Sequence, residues 1–452
     1  MSAGSASSTR PRDSAPVGRP RDKVRALQWV LYRCAKQEPE RRFHSLYGHV
    51  LRGDVLWRAW AGVCANRGAP GVDGVTVDAV EALGVEEFLQ DLSARLRTGD
   101  YRPSPLRRVQ IPKPGRPGEY RPLSIPTVAD RVVMTAAKLV LEPIFEADFL
   151  PVSYGFRPKR SAIDACENVR VEANRGRDWI LEADIRDCFG SIGHQALLAQ
   201  LARRVADNSM LKLIRSWLRV GVLWEGVTGP GGAGTPQGSP ISPLLANIAL
   251  HVLDKAWQSE GRRLGVLVRY CDDFVVLCPS RERAEQARNL AGATLARLGL
   301  HLHPDKTGIV CLARGSQGFD FLGFHHRKTK SWRWRGRFYL QRWPSKRAMG
   351  VLRDKIRSAT DRRHVGRPLV AVVADLNPVL QGWSAYFRNG NSAGKFSTID
   401  SYVHERLAIF DNRKRNIPGR RWGKRHNGDW FRRLGVFRLS GNVHRMTAHA
   451  NR

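Results

Sequence analysis

Apolar side chains at Val24, Leu27, Val30, Leu31 and Cys34 recur at helical spacing, so Asp22 to Gln37 reads as a short amphipathic helix. Leu46 to Asn66 and Phe88 to Arg97 read as two further helices, with the turn-rich GAPGVDGV (68–75) between them. From Tyr101 to Pro126 prolines and basic residues break the period and predict an extended stretch, and helical spacing resumes from Val128 to Phe145. The middle of the chain changes character. WILEADI (179–185), VLVRY (266–270) and FVVLC (274–278) are short continuous apolar runs, the mark of buried strands. Helices are expected near 195–220 and 243–257, the second with Ser242 as N-cap and Pro243 at its first position. Another, Arg281 to Leu298, should stop at Gly299. After Trp343 the strands end, and the chain reads as helical to about Asn412, then loop-rich and basic. The pattern predicts an α/β (α+β) sheet with helices packed on it and a helical C-terminal region. It contains no internal repeat and no run of 18 apolar residues that would span a membrane.

Composition sharpens this picture. At 452 residues and 42% hydrophobic, the chain can build two or three lobes, each with a proper core. Residues 1–22 are small, polar and basic, lack the apolar stretch of a secretory signal, and are expected to be disordered. The net charge of +34 points to a polyanionic partner, because Lys and Arg that neutralise phosphates release condensed counterions. Arg327 to Arg452 holds 30 basic and 7 acidic residues, so +23 of the +34 lies there. Six of the 13 Trp lie there too, some interleaved with Arg in SWRWRGRFYLQRW (331–343), which suits stacking on unpaired bases. The seven Cys form no C-x-x-C pair, so neither a structural zinc site nor a disulfide framework is expected, and a reducing cytoplasm is the natural home.

The candidate chemistry sits in the apolar runs. VLVRYCDDFVVLC (266–278) places Asp272 and Asp273 in the middle of an otherwise apolar stretch, where two adjacent carboxylates repel and are costly to desolvate unless paired or metal-bound. A hairpin with Cys271, Asp272 and Asp273 at its tip would accommodate them, although Asp is also an ordinary turn residue. Asp184, near the end of a second apolar strand, supplies a third carboxylate. Strand ends converging on one point would form an oxygen-rich site suited to Mg²⁺. Two such ions can activate a 3′ hydroxyl and stabilise leaving pyrophosphate. Asp187 should point to the opposite face of that strand and stand outside the site. GPGGAG (229–234) fits a dinucleotide-binding string, but no acidic residue and second strand follow at the required spacing.

YCDDF (270–274) and ADIRDCF (183–189) resemble the Tyr-x-Asp-Asp signature and first palm motif of reverse transcriptases. RPLSIPTVADRVV (121–133) and SYGFRPKRSAIDA (153–165) resemble the finger motifs of bacterial group II intron-encoded reverse transcriptases. GTPQGSPISPLLANIAL (234–250) resembles their Pro-Gln-Gly block. GLHLHPDKT (299–307) and FDFLGF (319–324) resemble the last palm motifs, and LNPVLQGWSAYFR (376–388) the maturase-specific domain. The likeness runs from about Phe43 to the C-terminus.

The resemblance implies a right-hand polymerase. Residues 1–22 would be a tail, 23–125 N-terminal helices and fingers, and 126–325 the fingers and palm with an antiparallel sheet. Residues 345–412 would form a helical thumb and maturase domain, and 413–452 a basic RNA- or DNA-binding tail. Asp184, Asp272 and Asp273 would be catalytic and, with Ile185, hold two Mg²⁺ ions, Mn²⁺ being an alternative. Phe189 would gate the incoming sugar, a core Phe being the other reading, and Gln237 would lie against the nucleotide. Lys113, with Arg116 as a competitor, and Arg121 would hold its triphosphate. Lys306 would be a proton donor to pyrophosphate or a plain phosphate contact. Phe321, Leu322 and Gly323 would grip the primer. Arg333, Arg335, Arg337, Trp383, Arg413, Lys414 and Arg415 would bind RNA. The implied partners are group II intron RNA, an RNA template with DNA primer, target DNA and dNTPs. The alternatives are a splicing maturase with little polymerase activity and a host-adopted relative in phage defence. Cys271 stands where Ala is common, and Gly190–His194 lacks the further Asp residues of the family pattern. No Cys-pair and His cluster of an appended nuclease domain is present, so cleavage of DNA by the chain itself is not expected.

Overall fold

The computed structural model describes residues 22–113, 115, 118–224, 227–229, 234–331, 336–417 and 425–443. The N-terminal region is helical. Helices Lys23–Gln37 and Gly53–Ala65 pack on Val128–Asp148, whose buried positions run round its circumference as an enclosed helix requires. The first helix starts where expected because the Asp22 carboxylate accepts from the Val24 and Arg25 amides. A short helix, Val77–Leu83, was not foreseen; Thr76 caps it by accepting from Ala79.

Two long helices expected from periodicity are each divided. The first becomes Tyr47–Val50 and Gly53–Ala65, since Arg52 between them takes an extended backbone. The second becomes His194–Ala202 and Asn208–Arg219. Asp207 starts Asn208–Arg219 by accepting from the Ser209 and Met210 amides at 2.9 and 3.1 Å. Its other oxygen accepts from the Leu46 and Tyr47 amides, both at 2.7 Å, so one carboxylate caps two helices distant in sequence. Asp207→Ala is expected to cost about 2–4 kcal/mol, more than one ordinary cap. Urea unfolding checks this, and a loss under about 1 kcal/mol would show that water replaces the carboxylate. Ser242 is not an N-cap. Ile241 already has helical backbone angles, so Ser242 is the first helical residue and its hydroxyl is buried without a hydrogen bond.

The strands are β1 (Leu106–Pro112), β2 (Tyr120–Ile125), β3 (Trp179–Asp184), β4 (Val222–Trp224), β5 (Val227–Gly229), β6 (Val266–Tyr270), β7 (Asp273–Cys278), β8 (Gly308–Cys311), β9 (Gly318–Phe321), β10 (Phe324–Lys330) and β11 (Phe338–Pro344). They form three sheets among the described residues. The extended basic stretch is the β1–β2 hairpin, which joins β4 and β5 in a mixed sheet because β1 pairs parallel with β4. The central sheet, in the order β6-β7-β3-β8, is antiparallel throughout. The third sheet, β9-β10-β11, was not foreseen and leads into helices Lys346–Ala359, Leu369–Phe387 and Ala393–Lys414.

The central strands read as continuous apolar runs because both faces are covered. Leu181, Ala183, Phe274 and Val276 join a core shared with the N-terminal helices. Ile180, Val275 and Leu277 join a second core shared with the third sheet and the C-terminal helices. By the two-residue period, Glu182 and Asp184 share the face of Ile180, and Asp273 shares that of Val275. The carboxylates therefore face the C-terminal half.

The described part of the expected tail is folded onto helix Ala393–Lys414. Asp400 accepts from the Leu439 and Ser440 amides at 2.8 Å, Phe431 stacks on His404, and His426 meets Asp411 at 3.0 Å. No helix among the described residues is long and apolar enough to cross a membrane.

Candidate active site

In the register of β3 and β7, Asp184 lies directly opposite Asp273. Tyr270 pairs with Asp273, which leaves Cys271 and Asp272 as a two-residue turn; Asp273 begins β7 and is not part of the tip. Cys271 has a left-handed backbone (φ 58°), unusual without glycine, so something must hold it there. The holder is Arg269, fully buried and two residues earlier in the chain. Its guanidinium donates to both oxygens of the equally buried Asp254 (2.7 and 2.6 Å), to Asn247 (3.1 Å), to the Ser153 hydroxyl (2.9 Å) and to the Cys271 carbonyl (3.0 Å). Asn247 in turn donates to the Gly155 carbonyl at 2.8 Å. Gly155 presses on the turn so closely that an added Cβ would stand 2.6 Å from the Cys271 nitrogen. Sequence reasoning passed over this clamp. Its signal was an Arg inside an apolar strand, with Asn247 and Asp254 seven residues apart on one helix face.

Burial raises the pKa of Asp272, with Asp184 adding to the rise and Arg121 opposing it. Asp273 is raised well above the ordinary carboxylate range by burial and by the charges of Asp184, Asp272 and Glu182. Lys306, in the turn Pro304–Lys306, forms an ion pair with Asp184. Asp187 does not belong to the strand at all. It precedes the short helix Cys188–Ser191 with a left-handed backbone, so it leaves the site by a break in the strand and not by strand alternation.

The three Asp form the floor of a cleft of about 1,090 Å³. Lys113 and Arg121 enter it from the β1–β2 hairpin, Lys306 from the palm side, Leu322 and Gly323 from the β9–β10 turn, and Trp383 and Tyr386 from helix Leu369–Phe387. Lys113 pairs with Glu119 at 3.0 Å; its competitor Arg116 lies outside the described residues. Leu322 and Gly323, both at positive φ, are fastened by Tyr386 donating to the Leu322 carbonyl (2.8 Å) and the Ser345 amide donating to that of Gly323 (2.9 Å). Phe321 does not line the cleft: its ring is buried in the second core.

Other expected residues sit elsewhere. The Ile185 side chain is buried in the first core, leaving only its main chain to offer a donor. Phe189 lies in helix Cys188–Ser191, half-buried against the same core, and is not among the cleft-lining residues. Gln237 lines an adjoining cavity of about 140 Å³ with Asp187, Ser124 and Thr235, and its side-chain oxygen is buried without a partner. Of the expected RNA contacts, Arg333 and Arg335 lie outside the described residues, and Arg337 and Arg413 are exposed. Lys414 also reaches the carbonyls of 365–367 and Arg415 meets Asp411, both residues remaining exposed, and Trp383 packs on Phe387 and Phe396 while it lines the cleft.

Glu182, Asp305 and Asp320 also line the cleft and were not foreseen. Burial first, and then Asp320, lifts Glu182 to about 7 from an ordinary 4.5. The folded protein thus keeps this proton up to about 7 while the unfolded chain releases it near 4.5, so folded stability falls as pH rises between those values. Glu182→Gln is therefore expected to raise Tm at pH 8 and leave it nearly unchanged at pH 4. An equal shift at both pH values would assign the gain to packing.

An acidic floor on an antiparallel sheet, below a basic β-hairpin and beside a helical wall, is the arrangement of a right-hand nucleic-acid polymerase. The family model for reverse transcriptase (RNA-dependent DNA polymerase) matches residues 111–326, and that for the group II intron, maturase-specific domain matches 349–428. The chain is 33% identical to protein YkfC of Escherichia coli (strain K12) over 340 residues, covering 66% of this chain and 87% of that protein. It is 37% identical over 229 residues to the group II intron-encoded protein LtrA of Lactococcus lactis subsp. cremoris, covering 50% of this chain but 38% of LtrA. The protein belongs to the reverse transcriptase family, in the form that carries the maturase-specific domain of group II intron-encoded proteins.

Proposed function

We propose that the protein extends a DNA primer on an RNA template at the floor of this cleft, with Asp184, Asp272 and Asp273 holding two Mg²⁺ ions, or Mn²⁺ in their place. The opposition of Asp184 and Asp273 beside the Asp272 turn carries this reading. The donor set is all carboxylate oxygen, which suits a hard divalent cation, and burial with mutual repulsion leaves the aspartates short of positive charge. Among the described residues no group of three or more His, Cys, Asp or Glu side chains is placed to hold a metal ion by itself, so in this reading substrate phosphates would complete the coordination. When bound, the ions supply activation of the primer hydroxyl and neutralisation of the leaving pyrophosphate. Arg121 and Lys113 would bind the triphosphate from above. Lys306, relieved of Asp184 when cations arrive, would turn to phosphate oxygens. Gln237 would border the nucleotide from the adjoining cavity, Phe189 would gate its sugar from the short helix Cys188–Ser191, and the Leu322–Gly323 turn would hold the primer end.

The maturase-specific match supports group II intron RNA as the partner, with assistance to splicing and target-primed cDNA synthesis as the biological use. Primer extension by the full chain on an RNA template, with dNTPs and Mg²⁺ and a chelator control, tests the polymerase. Tight RNA binding without any extension would favour the maturase without polymerase activity.

A further inference from the structure

We propose that the end of the central sheet remote from the catalytic aspartates carries a second nucleic-acid contact, an arginine-lined pocket for the phosphodiester backbone of RNA that lies outside the cleft. The proposal rests on the reading that RNA is the partner. Three loops converge there, before β3, before β6 and after β7, and enclose a pocket of about 220 Å³ lined by Arg175, Arg177, Arg262, Arg263 and Arg283. Asp184 ends β3 and Asp273 begins β7, so the length of a six-residue strand, about 20 Å, separates the pocket from the catalytic floor. The pocket and the cleft have no lining residue in common.

The pocket is built on a firm frame. Gly265 lies so close to β7 that an added Cβ would stand 2.5 Å from the Leu277 carbonyl oxygen. The buried Glu172 carboxylate orients Arg175 (2.8 Å) and Arg177, and Arg283 donates to the Arg263 carbonyl at 2.8 Å. Among the described residues the Arg262 and Arg263 side chains make no hydrogen bond or ion pair, and both are exposed. Five guanidinium groups thus meet one carboxylate. Glu260 and Glu282, close in sequence, do not line the pocket. All five cations are Arg and none is Lys, and the planar fork of Arg matches two phosphate oxygens at once where Lys is a point charge. A phosphate chain would relieve the mutual repulsion and release its own counterions.

The test uses the full chain with its cleft saturated by a template–primer duplex, and a labelled RNA hairpin of about 30 nucleotides as the probe, titrated against salt. The variant is Arg262→Gln with Arg263→Gln and Arg283→Gln, its folding checked by thermal melting and backed by the exposed single change Arg262→Gln. We expect hairpin affinity to fall roughly tenfold or more, and the slope of log K on log salt to flatten by about 2–3, near 0.9 for each phosphate that is no longer neutralised. Extension of the bound duplex should stay within about twofold of wild type, because the pocket is remote from the floor. A triple Arg→Lys variant should keep most of the slope but not the affinity. Unchanged affinity and slope in the Gln variant would reduce the cluster to a solvated basic surface and overturn the proposal. Full displacement of the hairpin by millimolar pyrophosphate would also overturn it, in favour of a small-anion site. Loss of the polymerase reading would show separately, as no extension by wild type.

Discussion

Asp273→Asn is expected to lower primer extension by about 10³-fold or more while raising the Tm of the metal-free protein. The two effects have one cause. The folded protein holds the Asp273 carboxyl well above its ordinary pKa, by burial first and then by Asp184, Asp272 and Glu182, so at neutral pH an ionised Asp273 opposes folding. Asparagine keeps the shape and removes the charge. The same charge is what a divalent cation would use, and losing several kcal/mol of transition-state stabilisation corresponds to at least about three powers of ten in rate. Asp272→Asn should behave alike with a smaller gain in Tm, since it feels less repulsion. RNA binding should persist, because the basic C-terminal region is untouched. Extension within about tenfold of wild type would remove Asp273 from the metal site.

Arg269→Met is expected to destabilise the protein by about 3–5 kcal/mol, since it leaves the Asp254 carboxylate buried without its partner. It should also cost activity in whatever fraction remains folded, because Arg269 holds the Cys271 carbonyl in the turn that presents Asp272. Pairing it with Asp254→Leu should recover most of the stability, as replacing both members of a buried ion pair often does. Activity should not return with it, since the turn stays unclamped. Urea unfolding together with primer extension separates the two effects. If the single variant lost under about 1 kcal/mol, water would be reaching Asp254 and the clamp would be weaker than its geometry implies.

Much of this protein was legible along the chain. Residues that act through local pattern were found in place: the helix capped by Asp22, the strands Trp179–Asp184, Val266–Tyr270 and Asp273–Cys278, and the aspartates that interrupt those apolar runs. Continuous apolar runs mark strands covered on both faces, and a charge inside one is conspicuous because burial makes it costly. Lys113, Arg121, Lys306, Leu322 and Gly323 were reached through motif resemblance, and the fold does bring them to one cleft.

What the chain order could not decide is anything set by partners far away in sequence. The division of two expected helices and the shared cap at Asp207 depend on contacts about 160 residues apart. The third sheet pairs strands whose polar side chains mask their two-residue period. Trp383, Lys414 and Arg415 have the composition of nucleic-acid contacts, and only the fold shows that each also has an intramolecular partner in the C-terminal region. Composition determines how much charge a chain carries and local period determines which face a residue takes. Whether a given Arg meets a carboxylate, as Arg269 does, or faces open pocket, as Arg262 does, is decided only when distant segments close around it.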